Sequence, residues 1–273
     1  MQKILCSGIL FCLLLCFAGC TTVSAAAVTH PDVDGSREIE RGSFVRASQN
    51  IDVLYTADTK ITDVVEDSVF ADYGRLIFPL DSRYYSGDTL GDLKLTWYSR
   101  MDWKKTVEIA NYFKSHAEAG DVIFYDIYTD EEKAADPEKE NTGLFFFKGT
   151  PGERFAVCNA GGGFAYVGAM QDSFPHALEL SKKGYNAFAL IYRPEAQTAC
   201  EDLARAISFI FEHAEELEVN TACYSLWGGS AGGRMAAYLA SYGPAAFGGD
   251  ALPRPGAVVM QYTGHSAYIC LCW

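Results

Sequence analysis

The chain has 273 residues, enough for a globular domain with a buried sheet, and 49% of them are hydrophobic. Its 35 acidic and 22 basic residues give a net charge of −13 without a basic cluster, which disfavours binding to nucleic acid. The sequence contains neither H-E-x-x-H nor paired C-x-x-C, so we expect no metal site.

The N-terminus predicts export. Lys3 precedes an apolar stretch, residues 4–17, that is too short for a stable membrane span. The stretch ends in LCFAGC, which resembles a bacterial lipobox with Cys20 as the lipid-bearing residue, whereas three alanines at 25–27 offer an ordinary cleavage site. We predict a signal peptide over residues 1–20 of the lipoprotein type, with secretion as the alternative. Any membrane contact would come only through a lipid on Cys20.

A polar linker is predicted at residues 21–50, followed by an N-terminal segment at residues 51–120. Most of this segment resists assignment, but residues 101–119 have the apolar spacing of a helix. The segment is a candidate cap over an active site, with simple packing against a sheet edge as the alternative.

From residue 121 onward, strand and helix patterns alternate. Two strands, 121–128 and 143–148, are predicted to form a hairpin around a charged loop at 130–141. Cys158 and Cys223 fall on later strands and are expected to be buried thiols. The alternation predicts an α/β fold with a doubly wound, mostly parallel sheet. Further strands are predicted at 155–158, 185–192, 222–227 and 257–263, and helices at 172–183, 199–217 and 231–242.

A G-x-S-x-G pentapeptide is centred on Ser230, between an apolar strand pattern and an alanine-rich helix pattern. Gly228 and Gly232 would let the chain turn sharply, so that the serine hydroxyl is exposed at the carboxyl edge of the sheet. The helix that follows would direct free N–H groups and its positive dipole end toward the same place. This context predicts a nucleophilic serine.

A second glycine-rich loop follows the strand at 155–158, with glycines at 161–163. Acyl transfer needs backbone N–H donors for the developing oxyanion, and such a loop supplies them together with the residue after the nucleophile. The alternative is a dinucleotide-binding loop, which needs G-x-G-x-x-G, but the third glycine position holds Tyr166. No P-loop pattern occurs either, so we expect no cofactor.

Four segments together resemble the α/β-hydrolase superfamily, and within it the esterase/lipase branch related to acetyl esterases and hormone-sensitive lipase. The resemblance extends over about residues 121–268 and implies that Ser230 is the nucleophile. It also implies that Gly162, Gly163 and Ala231 donate to the oxyanion. The segments are 159–164 (NAGGGF), 183–194 (KGYNAFALIYRP), 201–207 (EDLARAI) and 227–233 (WGGSAGG).

A serine nucleophile also needs a base and an orienting carboxylate, which follow it in the order acid, then histidine, in this superfamily. After Ser230 the sequence holds one acid, Asp250, and one histidine, His265, in the opposite order. Asp250 precedes the last predicted strand and would lie at the wrong edge of the sheet, while His265 follows it and is a weak candidate base. The other four histidines match no position of the family. We therefore expect a C-terminally truncated member that lacks the last strands and helices of the fold.

The sequence thus predicts a serine hydrolase of carboxylesterase type, acting on a small-molecule ester through an acyl-enzyme, with impaired activity because the triad is incomplete. A serine peptidase of the same fold is the first alternative. The second is a non-catalytic exported lipoprotein, or truncated pseudoenzyme, that keeps the site without the base.

Overall fold

The computed structural model describes residues 54–98 and 100–263 of the chain. The predicted signal peptide with Cys20, the linker and the candidate base His265 lie outside the described residues. Six α-helices are present in this part of the chain: α1 (Ile61–Val65), α2 (Trp103–Glu118), α3 (Asp130–Ala135), α4 (Ser173–Lys182), α5 (Ala196–Glu212) and α6 (Ser230–Tyr242). Its strands are β1 (Tyr85–Ser86), β2 (Lys94–Leu95), β3 (Phe124–Tyr125), β4 (Gly143–Phe147), β5 (Arg154–Asn159), β6 (Asn186–Ile191), β7 (Asn220–Gly229) and β8 (Ala257–Gln261).

Six strands form the central sheet in the order β3-β4-β6-β5-β7-β8. β3 and β4 pair antiparallel as the predicted hairpin does, and β4 is also antiparallel to β6. β6, β5, β7 and β8 are parallel to one another. The predicted α/β fold with a mostly parallel sheet is therefore confirmed. The carboxyl ends of β5 and β7, where the two glycine motifs begin, are neighbours at one edge.

Side chains alternate between the two faces of the sheet, and each face is covered by helices. Phe145 and Phe147 on β4 point to one apolar cluster, which α2, α4 and the N-terminal segment complete. Leu144 and Phe146 on the same strand belong to a second cluster with α5 and α6. On the first face the rings of Phe113 (α2) and Phe174 (α4) pack edge to face, 5.1 Å apart. This packing holds the N-terminal segment on the sheet.

Two local expectations from the sequence are wrong. The charged loop at 130–141 is largely helical, because Thr129 and Glu132 form a capping box that starts α3. Cys223 is exposed, unlike Cys158, which is buried. The register between β5 and β7 shifts near the start of β7, and Cys223 has a φ of +54° there, so its side chain leaves the sheet.

A buried ion pair joins the end of β6 to α5. The guanidinium of Arg193 donates three hydrogen bonds to Asp202 at 2.8, 3.1 and 3.2 Å, and the backbone N–H of Arg193 donates a fourth at 2.8 Å. The hydroxyl of Tyr128 donates to the same carboxylate at 2.7 Å, and Asp136 accepts from the guanidinium at 2.7 Å. We call these four side chains the Arg193 cluster. The hydrogen bond with Asp202 raises the pKa of Arg193 although burial acts against it, so the guanidinium stays charged.

Candidate active site

Ser230 lies on the sharp turn between β7 and α6. Its φ of +48° is in the left-handed region, which costs a non-glycine residue about 1–3 kcal/mol and is enriched at active sites. A Cβ on Gly228 would lie 2.3 Å from the carbonyl carbon of Gly232, and one on Gly232 would lie 2.1 Å from the carbonyl oxygen of Asn159. Neither position has room for a side chain. The two glycines therefore allow the close packing of strand and helix that exposes the serine.

The second glycine loop passes directly beside this turn. A Cβ on Gly161 would lie 3.1 Å from the Cβ of Ser230. Gly162 and Gly163 have φ values of +140° and +65°, and the carbonyl of Gly162 accepts a hydrogen bond from the Ala165 N–H at 3.0 Å. The N–H groups of Gly162 and Gly163 donate to no acceptor within the described ranges. Two unused donors are thus available next to the serine.

The two turns open into one cavity of about 500 Å³ at the carboxyl edge of the sheet. The N-terminal segment contributes Trp97, Tyr98 and Arg100 to the wall of this cavity. Its lining residues are Trp97, Tyr98, Arg100, Gly162, Gly163, Gln171, Asp172, His176, Ser230 and Tyr262.

A buried carboxylate, Asp172, lies at the base of this cavity with its side chain 2% exposed. Its Oδ2 accepts hydrogen bonds from the Gly161 N–H at 2.7 Å and from the Tyr98 hydroxyl at 3.3 Å. The hydroxyl of Tyr262 donates to the same oxygen. Burial, together with the charge of Asp172, raises the pKa of both tyrosines, so both stay protonated and act as donors.

His176 lies one helical turn after Asp172 and also lines the cavity. Its Nδ1 is 2.7 Å from the backbone carbonyl oxygen of Asp172 and 3.5 Å from the carboxylate Oδ1. The hydrogen bond to the Asp172 side chain raises the pKa of His176, and partial burial opposes this. A proton on Nδ1 would leave Nε2 free to accept.

Sequence reasoning missed Asp172 and His176. The available signal was their place in the chain, because the first turn of a helix that follows a parallel strand lies at the carboxyl edge of the sheet. Residues at the start of α4 therefore lie near the serine. Their spacing of four residues places both on one face of that helix.

The structure brings together most of the residues that the sequence singled out. Ser230, Gly162 and Gly163 line one cavity, and Ala231 lies in the first turn of α6, where backbone N–H groups have no partner within the helix. Asp250 is exposed in the loop before β8, away from this edge. His265, the candidate base, lies outside the described residues.

No group of three or more His, Cys, Asp or Glu side chains within residues 54–98 and 100–263 is arranged to hold a metal ion. No helix in the same ranges is both long enough and apolar enough to cross a membrane.

The mostly parallel sheet with helices on both faces, and the serine on a strand-to-helix turn, define an α/β hydrolase. Residues 151–250 match the family model BD-FAE, an α/β-hydrolase-type domain. The chain therefore has an α/β-hydrolase fold, and residues 151–250 form an α/β-hydrolase-type domain. This matched range contains both glycine motifs and Asp172.

No curated protein matches the chain. Among solved structures, it is similar to MGS-M1, an alpha/beta hydrolase enzyme from a Medee basin deep-sea metagenome library, at 27% identity and a TM-score of 0.37. That match covers 45% of this chain and 52% of the other. It is also similar to the thermophilic esterase Est2 from Thermogutta terrifontis, at 28% identity and a TM-score of 0.34, over 36% of this chain and 40% of the other. The chain spans about half the length of the first of these structures and a smaller share of the second.

Proposed function

We propose that this chain is a serine hydrolase that acts on small carboxylic esters, with Ser230 as the nucleophile. The observation that carries the proposal is the strained left-handed conformation of Ser230 beside the unused N–H groups of Gly162 and Gly163. A strained serine is retained where its hydroxyl must reach a substrate. Neighbouring backbone donors are what a developing oxyanion requires.

In the proposed reaction, the Ser230 Oγ attacks the ester carbonyl carbon and its proton passes to a base. The carbonyl oxygen becomes negative and accepts hydrogen bonds from Gly162, Gly163 and Ala231. Collapse of this intermediate breaks the bond to the alcohol, which leaves with the proton, and an acyl-enzyme remains. Water then attacks the acyl-enzyme by the same route and releases the acid and free Ser230.

Two histidines are candidates for the base. His265 follows β8 in the chain and lies outside the described residues. His176 lines the cavity, and its Nδ1 is held by the Asp172 carbonyl. No hydrogen bond joins His176 to Ser230 in the structure, so a proton would pass between them only through a water or after a side-chain rotation. Exchanging each histidine for glutamine in turn assigns the role to the one whose loss lowers turnover more.

The cavity favours a small substrate. Its volume of about 500 Å³ lies within the range typical of small-molecule sites. The Trp97 side chain, 68% exposed, and the ring of Tyr98 offer apolar surface for an acyl or alcohol group. We therefore propose short-chain esters as substrates, and peptides as the substrates to test against them.

The experiment is hydrolysis of p-nitrophenyl acetate and butyrate, and of a matched peptide p-nitroanilide, by the chain and by Ser230→Ala. Because the triad is incomplete, we expect slow ester turnover that Ser230→Ala abolishes, whereas Ser241→Ala, an exposed serine on the same helix, leaves it unchanged. Turnover that survives Ser230→Ala, or no turnover of any ester, would contradict the proposal. Faster cleavage of the peptide anilide than of the esters would favour the peptidase alternative over the esterase.

We also propose that the chain is exported and carries a lipid on Cys20. The lipobox-like sequence before Cys20 supports this proposal. Intact-mass measurement of the mature chain tests it. A diacylglycerol-modified N-terminal cysteine is expected, whereas a start within or just after residues 25–27 would show secretion instead.

A further inference from the structure

The position of Asp172 in its helix is unusual for an aspartate. It occupies the N-cap of α4, where an aspartate side chain normally accepts a hydrogen bond from the first turn of its own helix. Asp172 makes no such bond, and its φ and ψ of −123° and −77° are not those of a usual N-cap. Its carboxylate instead reaches back 11 residues to the N–H of Gly161. The Asp172 carboxylate therefore contacts the glycine loop instead of capping its own helix.

Gly161 is held on both sides of its position in the loop. Its N–H donates to Asp172 at 2.7 Å, and its carbonyl accepts from the Gly168 N–H at 2.9 Å. The next two N–H groups, those of Gly162 and Gly163, follow directly and line the cavity. Fixing Gly161 therefore anchors the start of the segment that carries the two donors, and the hydrogen bond from Ala165 to the Gly162 carbonyl holds its other side.

The carboxylate of Asp172 is itself fixed. The hydroxyls of Tyr98, from the N-terminal segment, and Tyr262, after β8, donate to the same Oδ2 that Gly161 uses. His176 contacts the other oxygen and is the one ionic partner of Asp172 within the described ranges. Charge-assisted hydrogen bonds of this kind are shorter and stronger than neutral ones. A side chain fixed from three segments can therefore hold the loop rigidly.

We propose that Asp172 is a positioning residue for the oxyanion hole: its carboxylate fixes Gly161 so that the N–H groups of Gly162 and Gly163 face the oxygen of the tetrahedral intermediate. Asp172 touches neither substrate nor the Ser230 hydroxyl in this role. The inference rests on the proposed function, because it assigns the oxyanion to these two donors.

The first test measures the contact without any need for turnover. Amide hydrogen exchange at Gly161, read by NMR, is expected to accelerate at least tenfold in Asp172→Ala. In Asp172→Asn exchange should rise less, because the amide oxygen can still accept from Gly161. Asp250→Ala, an exposed aspartate of the loop before β8, is the control and should leave the exchange unchanged. An unchanged exchange rate at Gly161 in Asp172→Ala would overturn the inference.

The second test measures the consequence at Ser230. Fluorophosphonate labelling of Ser230 forms a tetrahedral adduct that needs the same donors, so Asp172→Ala should slow labelling about 100-fold, as the loss of one oxyanion donor does. In ester hydrolysis kcat should fall similarly while KM stays within twofold, and Asp172→Asn should recover part of kcat. A variant that merely loosens the fold would raise KM or lower the active fraction instead.

The outcomes separate the two proposals. A wild-type chain that is not labelled at Ser230 contradicts the proposed function and this inference with it. A wild-type chain that is labelled, together with Asp172→Ala labelled at the same rate, contradicts the inference alone. If Asp172→Ala does not fold, Asp172→Asn carries both tests, and wild-type values of exchange and labelling in a folded Asp172→Asn would contradict the inference.

Discussion

The molecule buries two carboxylates in different surroundings, one in the Arg193 cluster and one in the cavity. Asp202 is fully buried and forms an ion pair with Arg193, whose Nε and Nη2 both donate to its carboxylate. Asp172 is almost as buried but receives neutral donors, the Gly161 N–H and two tyrosine hydroxyls, with a histidine as its ionic partner. An ion pair neutralises its charge and ties two elements together. A carboxylate held by neutral donors orients the groups that donate to it.

The largest effect is expected at the paired carboxylate. Asp202→Ala leaves the guanidinium of Arg193 buried without its counter-charge, so the free energy of unfolding should fall by about 3–5 kcal/mol. Asp136→Ala is the matched control, because Asp136 contacts the same guanidinium but its side chain is 43% exposed. The control should lose less than about 1 kcal/mol. Urea unfolding measures both, and equal losses would remove the distinction between buried and exposed partners.

A smaller loss of stability is expected at the cavity carboxylate. Asp172→Ala leaves neutral N–H and O–H donors unsatisfied rather than a buried cation, which corresponds to about 1–3 kcal/mol. Its principal effect should be on labelling and kcat. Urea unfolding of the two alanine variants side by side sharpens the comparison. A loss at Asp172 as large as that at Asp202, with no change in labelling, would place both carboxylates in the same structural role.

The next largest effect on the free energy of unfolding is expected from the backbone strain at Ser230. Ser230→Gly should be more stable than Ser230→Ala by about 1 kcal/mol, because glycine adopts the left-handed conformation without penalty, less its larger entropy loss on folding. Both variants lack the nucleophile, so activity does not enter the comparison. Thermal or urea unfolding of the pair measures the difference. Equal stabilities would show that the turn is not strained.

The smallest effect is a pH dependence at His176. The hydrogen bond with Asp172 raises the pKa of His176 in the folded chain above its usual 6.5. Its stabilising contribution is therefore complete below pH 6.5 and is lost as the pH rises through the raised value. The stability difference between wild type and His176→Gln should be greater at low than at high pH, by less than about 1 kcal/mol because the side chain is 35% exposed. A difference that grows with pH would have the wrong sign.

Much of the fold could be predicted because its signals are local. The strands β5 and β6 and the helices α4 and α6 fall within one or two residues of their predicted bounds, since each has an apolar pattern of the right period and glycines at its ends. The glycines predicted for the sharp turn at Ser230 have a physical reason in the structure, because neither Gly228 nor Gly232 has room for a Cβ. The roles of the site residues stay predictions.

The cavity beyond the two glycine motifs could not be predicted in the same way. The hydroxyls of Tyr98 and Tyr262 meet at one carboxylate oxygen of Asp172. Tyr98 is 74 residues and Tyr262 is 90 residues away from Asp172 in the sequence, and no local pattern brings them together. Cys223 is exposed because of a register shift between two strands, which depends on pairing rather than on its own segment. Contacts of this kind follow from the sheet order, which has to be known first.

The most direct test of the account is a crystal structure of the chain after reaction with a fluorophosphonate. The account predicts phosphorus bonded to the Ser230 Oγ, and one phosphonyl oxygen within about 2.7–3.1 Å of the backbone nitrogens of Gly162 and Gly163. In that adduct Asp172 should still accept from Gly161. An adduct on another residue, or a phosphonyl oxygen directed away from the glycine loop, would contradict the account.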